Sequence, residues 1–140
     1  MDWADWRSLL AADGEYELSP GVTASELAGA EAVLGAVFPA ALRQVYLASD
    51  GVFSRGGQYF TVWPLAEVLR RNRDDWLRDG RQGRADLVGF GDDGTGAPFC
   101  VERSGSGSVL HWGPIDGEAT VLARTFAEFW AGWSAGTITT

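Results

Sequence analysis

The chain has one cysteine, one histidine, one methionine and no lysine. One cysteine can form neither an internal disulfide nor the ligand set of a usual structural zinc site, so the fold has to rest on its hydrophobic core. Cations are scarce: eleven arginines face nineteen acidic residues, and the net charge is −8. That balance is the reverse of what binding to a phosphate backbone requires, and it argues against direct contact with nucleic acid. That every cation is an arginine carries no argument about function. No stretch approaches the ~20 uninterrupted apolar residues of a membrane span, because the most apolar region, from Leu27 to Leu42, is broken by Glu31 and Pro39. The start Met1-Asp2-Trp3-Ala4-Asp5 lacks the basic residues and apolar run of a secretion signal, which points to a reduced, cytoplasmic protein.

What is present is enough for a core. The chain is 140 residues long and 46% hydrophobic, a size and composition that suit one domain over residues 1–140. Trp3, Trp6, Leu9 and Leu10 have helical spacing, and the helix they predict stops near Gly14. Thr23 and Glu26 form a capping box, stapled by Val22 and Leu27, for a helix carrying Ala30, Leu34 and Val37 on one face. Pro39 suits the first turn of a third helix with Leu42, Val45 and Tyr46 inward, ended by Asp50-Gly51. Gln58 to Trp63 reads as a strand stopped by Pro64, and Leu65, Val68, Leu69, Trp76 and Leu77 outline a further helix. From Leu87 the period changes to short strands around Val88, Cys100, Leu110 and Val121, separated by glycine-rich turns, before Thr125 caps a closing helix. Helices first, a mostly antiparallel sheet in the second half and a terminal helix make the class α+β.

Signals for chemistry are weak. Gly89-Phe90-Gly91-Asp92-Asp93-Gly94 has the letters of a dinucleotide loop, but it leads into a strand rather than a helix, and its aspartates would repel phosphate. The spaced oxygen ligands and terminal glutamate of a calcium loop are missing as well, so the turn reads as a solvated acidic one, with no metal or cofactor implied. Cys100 and His111 are the sole material for a nucleophilic pair, and strand alternation makes them a buried thiol and a surface imidazole. No catalytic residue is assigned. Residues 55–84 hold seven arginines against four acids, with Asp74, Asp75 and Asp79 interleaved at helix-pair spacings, the pattern of a self-paired solvated face. Seven tryptophans are many for this length. The pairs Trp3/Trp6 and Trp130/Trp133 are expected to seal the core, leaving Trp63 and Trp112 beside turns as anchors for a partner.

Glu31-x-x-Leu34-Gly35-x-x-Phe38-Pro39, followed by Leu42-Arg43-x-x-Tyr46 and Asp50-Gly51, resembles the N-terminal signature of the SUKH superfamily, which includes fungal cell-wall-assembly regulators and many bacterial immunity proteins. Val62-Trp63-Pro64-Leu65, the hairpin from Gly89 to Glu102 and Thr125-Phe126-x-x-Phe129 continue the likeness over about residues 20–133. The resemblance implies a non-enzymatic α+β domain, without cofactor, that binds and neutralises a toxin domain, often a nuclease, in its own cytoplasm; the alternative is a housekeeping scaffold module with no toxin to oppose. A monomer or weak dimer is expected. Within the motif Leu34, Phe38 and Tyr46 read as core, Gly35, Pro39 and Gly51 as backbone punctuation, and Glu31 either caps backbone N–H groups or contacts the partner. Charge and turn position nominate Asp50, Asp92, Asp93, Asp116 and Glu118, with Trp63 and Trp112, as the residues that meet a basic partner.

Overall fold

Three of the helices begin where short polar side chains can satisfy their own first turn. The computed structural model describes residues 1–75 and 86–140. Asp2 and Asp5 cap each other reciprocally, at 3.0 Å in both directions, to open helix α1 (Trp3–Ala11). Thr23 and Glu26 do the same, at 3.1 Å each, for α2 (Ala24–Leu34), which ends at Gly35 with a left-handed φ of 64°. Pro39 precedes α3 (Ala40–Ala48), which buries Leu42, Val45 and Tyr46 as their spacing predicts. The Arg7 guanidinium then ties α1 to the C-terminal end of α3 by donating to the carbonyls of Ser19, at 2.9 Å, and Ala48.

The strands lie in two antiparallel sheets. The first has β1 (Tyr16–Leu18), β2 (Val52–Ser54) and β3 (Tyr59–Val62) in that order. A short helix α4 (Leu65–Arg70) and a π-helical turn (Arg71–Asp75) follow. The second sheet runs β4 (Leu87–Asp92), β5 (Pro98–Glu102), β6 (Val109–Trp112) and β7 (Ala119–Ala123), and α5 (Phe126–Ala135), capped by Thr125, closes the fold. The two sheets meet where the Trp63 N–H donates to the Phe90 carbonyl at 2.7 Å, beside a bulge in β4 between Gly89 and Gly91. Gly91 permits that approach, since a Cβ there would stand 1.8 Å from the Thr61 carbonyl oxygen. The class is α+β, as the sequence indicates.

The main core gathers residues from both sheets and from α1, α2, α3, α4 and α5. At its centre Phe99 packs edge-on against Phe129 at 4.8 Å, and Phe126 joins Trp6 at 5.5 Å and Phe90 at 5.8 Å. Each such side chain contributes about 1.5–3 kcal/mol by leaving water. The other face of the second sheet carries a smaller cluster of Leu87, Cys100, Leu110 and Trp112.

Several expectations are corrected. Trp6 and Leu10 of the α1 stripe are buried, but Trp3 is 51% exposed and Leu9 is exposed too, because no described residue packs over that side of the helix. Val37 lies beyond the end of α2 and is 60% exposed rather than part of its buried face. Strands β1 and β2, three residues each, were not anticipated. Trp76, Leu77, Arg78, Asp79, Arg81 and Arg84 lie outside the described residues. The side chains of Asp74 and Asp75 are likewise not described, and among the described residues Arg70 and Arg71 both pair with Glu67, at 2.8 and 3.1 Å.

Candidate functional site

The turn joining β4 to β5 holds Asp92 and Asp93, and the two point in different directions. Asp92 Oδ1 accepts the N–H groups of Gly94 at 2.6 Å and Gly96 at 3.1 Å, so this half-exposed carboxylate shapes the turn. The Asp93 side chain turns inward and is only 3% exposed. Its Oδ1 accepts from the Thr95 N–H at 2.8 Å and hydroxyl at 2.6 Å, while Oδ2 meets His111 Nε2 and the Thr140 hydroxyl, each at 2.9 Å. Burial pushes the Asp93 carboxyl up, but the hydrogen bonds from Thr95, Thr140 and His111 outweigh it and hold the group below the usual carboxylate range. The solvated charge expected at Asp93 is therefore corrected to an internal one, and His111 is a half-buried partner rather than a surface imidazole.

The two tryptophans proposed as anchors are also corrected. Trp63 is 4% exposed, with the Arg71 guanidinium over its ring at 4.7 Å and its carbonyl accepting the Tyr46 hydroxyl at 2.9 Å. Trp112 is 2% exposed within the smaller cluster. Neither can reach a partner from the folded chain. Asp50 is half-buried and accepts the Leu65 N–H at 2.8 Å, at the start of α4. Asp116 and Glu118 remain exposed, Asp116 Oδ1 accepting the Glu118 N–H at 3.0 Å.

The motif around Glu31 is structural in its geometry. Glu31 Oε2 accepts the Phe38 N–H at 2.8 Å, and Oε1 lies 3.3 Å from Arg43 Nε. One carboxylate thus ties the C-terminal half of α2, the loop after it and α3. Arg103, from the end of β5, donates to the Leu34 carbonyl, and Phe38 stacks on Tyr46 at 5.9 Å. Leu34, Phe38 and Tyr46 are buried as expected; Gly51 has a φ of 91° and lies so close to Pro64 that a Cβ would stand 2.9 Å from its nitrogen. Burial pushes the Tyr46 phenol well above its ordinary range, with the Asp50 charge adding to it.

A groove of about 490 Å³ opens between the β1–β2–β3 sheet and the end of α5. Asp13 and Glu15 form one wall, and Tyr16, Tyr59 and Trp133 supply aromatic surface. Gly56 and Gly57 make room for two of these groups. A Cβ at Gly56 would come within 2.7 Å of the Glu15 carboxylate, and one at Gly57 within 2.2 Å of the Tyr59 ring. Tyr16 is 8% exposed, its ring 4.6 Å from that of Trp130. Its phenol is pushed up to about 12 by burial first, and then by Tyr59, Asp13 and Glu15. None of these residues was nominated from the sequence except Trp133, which was assigned to the core. Asp13-Gly14-Glu15-Tyr16 and Gly56-Gly57-Gln58-Tyr59 carry no signal separately, and they line one groove only because β1 and β3 flank β2.

The family model of the SMI1 / KNR4 family (SUKH-1) matches residues 21–132. The chain belongs to that family. Among curated proteins, none matches it. The matched span of this SUKH domain begins just before the capping box of α2 and ends inside α5, so it takes in the Glu31 motif and both sheets. It leaves out α1, β1 and Trp133, and therefore part of the groove.

The chemistry open to this SUKH domain follows from its side-chain placement. Cys100 shares a sheet face with Leu110 and Trp112, whereas His111 stands beside Phe99 on the opposite face. The sheet separates thiol from imidazole, so the two cannot act as nucleophile and base. Among the described residues, no group of three His, Cys, Asp or Glu side chains is gathered to hold a metal ion. Among the same residues, no helix is long and apolar enough to cross a membrane.

Proposed function

We propose that the chain is a non-enzymatic immunity protein that binds a bacterial toxin domain one-to-one in the cytoplasm and neutralises it by covering its active site or substrate groove. The observation that carries this reading is membership of the SMI1 / KNR4 family over residues 21–132, since the related SUKH proteins include many immunity proteins. Charge supports it. A net charge of −8 suits a basic partner, and a nuclease is basic where it holds nucleic acid. Of the nominated residues, Asp116 and Glu118, with Asp92 at the edge of its turn, keep carboxylates at the surface to meet such a partner. The whole chain acts as one domain in this reading, without metal or cofactor.

The test is capture of partners on the tagged chain from its native cytoplasm, washed at low and then high salt, followed by co-expression with whatever is retained. One basic protein held one-to-one, released by salt and toxic unless this chain is present, is the expected result. Retention of several housekeeping proteins, or of a partner whose expression harms nothing, overturns it in favour of a scaffold module.

A further inference from the structure

The groove beside β1 combines three features that point to a ligand of one kind. Its carboxylates are unspent: among the described residues Glu15 makes no side-chain hydrogen bond or ion pair, and Asp13 bonds only the N–H of Glu15, at 2.9 Å. Its aromatic walls carry idle polar groups. Among the described residues the Tyr16 hydroxyl has no hydrogen-bond partner although Tyr16 is more than nine-tenths buried, and the Tyr59 hydroxyl and Trp133 indole N–H are likewise unengaged. Tyr16 lines the same groove as Tyr59, Asp13 and Glu15. The hydroxyl is the part of Tyr16 left open to the groove, where it can engage a ligand.

A donor-rich, flat cation answers all three. The face of an aromatic ring attracts a cation, carboxylates accept its N–H groups, and a phenol oxygen accepts one more. A guanidinium has five donors in a plane and stacks on rings, which an ammonium does not match. A neutral or anionic group would leave Asp13 and Glu15 unpaired or repel them. Arg55, beside the lining residue Ser54, donates to the Gly14 carbonyl at 3.2 Å and is not part of the groove lining.

We infer that the groove lined by Asp13, Glu15, Tyr16, Tyr59 and Trp133 receives an arginine side chain presented by the protein partner. This rests on the reading of the chain as a protein-binding module, and not on the partner being a toxin. Gly56 and Gly57 hold the receptor open by letting Glu15 and Tyr59 lie flat against the turn. The site is separate from the acidic loop of Asp116 and Glu118, and it gives the interface a specific anchor where that loop gives general attraction.

The test titrates the full chain with blocked arginine, N-acetyl-arginine N-methylamide, followed by NMR at low ionic strength, with blocked lysine and blocked citrulline as comparators. Blocked arginine is expected to shift the Trp133 indole N–H and the amides of residues 13–16, lysine more weakly, and the neutral citrulline not at all. Glu15→Gln, alone and with Asp13→Asn, and Tyr16→Phe should each weaken binding, the double variant by about tenfold. Glu15→Gln breaks no internal bond, and Tyr16→Phe keeps the ring against Trp130, so both should fold. No shift with blocked arginine, equal shifts with citrulline, or undiminished shifts in the double variant overturns the assignment. A partner captured by the parent chain and held equally well by Glu15→Gln and Tyr16→Phe overturns it too, while leaving the proposed function standing.

Discussion

Asp50 Oδ1 accepts the Leu65 N–H at 2.8 Å, joining the chain just after α3 to the first turn of α4. The residue before that turn is Pro64, which has no side-chain acceptor, so the cap comes from fifteen residues upstream. Asp50→Ala should lower stability by about 1 kcal/mol, and Asp50→Asn by less because the carboxamide oxygen still accepts. Urea midpoints of the three proteins, at constant m-value, check the order.

Glu31 should prove a stability residue. Glu31→Gln keeps an acceptor for the Phe38 N–H but removes the charge facing the partly exposed Arg43, at a cost of up to about 1 kcal/mol. Glu31→Ala should cost more, since the Phe38 N–H loses its acceptor as well. Equal melting curves for parent and Glu31→Ala would show that the carboxylate does not stabilise the fold.

The junction of the two sheets yields opposite outcomes one strand apart. Thr61 Oγ1 is buried and finds no hydrogen-bond partner among the described residues, so Thr61→Val should raise stability by about 1 kcal/mol. Gly91→Ala would drive a methyl group into the Thr61 carbonyl and should leave little folded protein. Thermal unfolding followed by circular dichroism separates the two.

Asp93 gives the acid limb of the stability curve a recognisable component. Its folded-state pKa lies below the ordinary value of 3.8, so its contribution is complete above that value and is lost as pH falls through the folded pKa. Asp93→Asn should therefore be less stable than the parent at neutral pH, with the gap closing below about 3.8. Denaturant titrations from neutral to acid pH measure it.

Asp116→Asn with Glu118→Gln should slow association with a basic partner several-fold and flatten its dependence on salt, leaving the dissociation rate nearly unchanged. Both carboxylates are exposed, and the asparagine side chain can still accept the residue 118 N–H, so folding should be unaffected. Stopped-flow association across a salt series reads the effect.

Local signals in the sequence carried the parts of the fold that depend on near neighbours. The Thr23–Glu26 box and the Thr125 cap act over three residues, and the inward face of α3 repeats with the helical period, so all were legible. Strands β1 and β2 are too short to display a period, and Val52-Phe53-Ser54 becomes a strand only because Tyr16 and Val62 lie beside it. Trp63 and Trp112 misled for a related reason. A tryptophan next to a turn looks exposed until one knows that Arg71 covers the first and that the far face of the second sheet has its own small core. The groove was illegible because three separate stretches of chain, around residues 13–16, 54–59 and 133–134, build it.

The carboxamide of Asn72 donates to the Gly89 carbonyl at 2.8 Å and accepts the Gly89 N–H at 2.9 Å. It thus offers β4 the same donor and acceptor that a neighbouring peptide group would, and the Trp63 N–H occupies the next position at Phe90. With that border occupied, β7, whose Ala119, Thr120 and Val121 face solvent, is the margin of the second sheet without a neighbouring strand among the described residues. A side-chain amide therefore gives the sheet a direction, one margin closed to foreign strands and the other open.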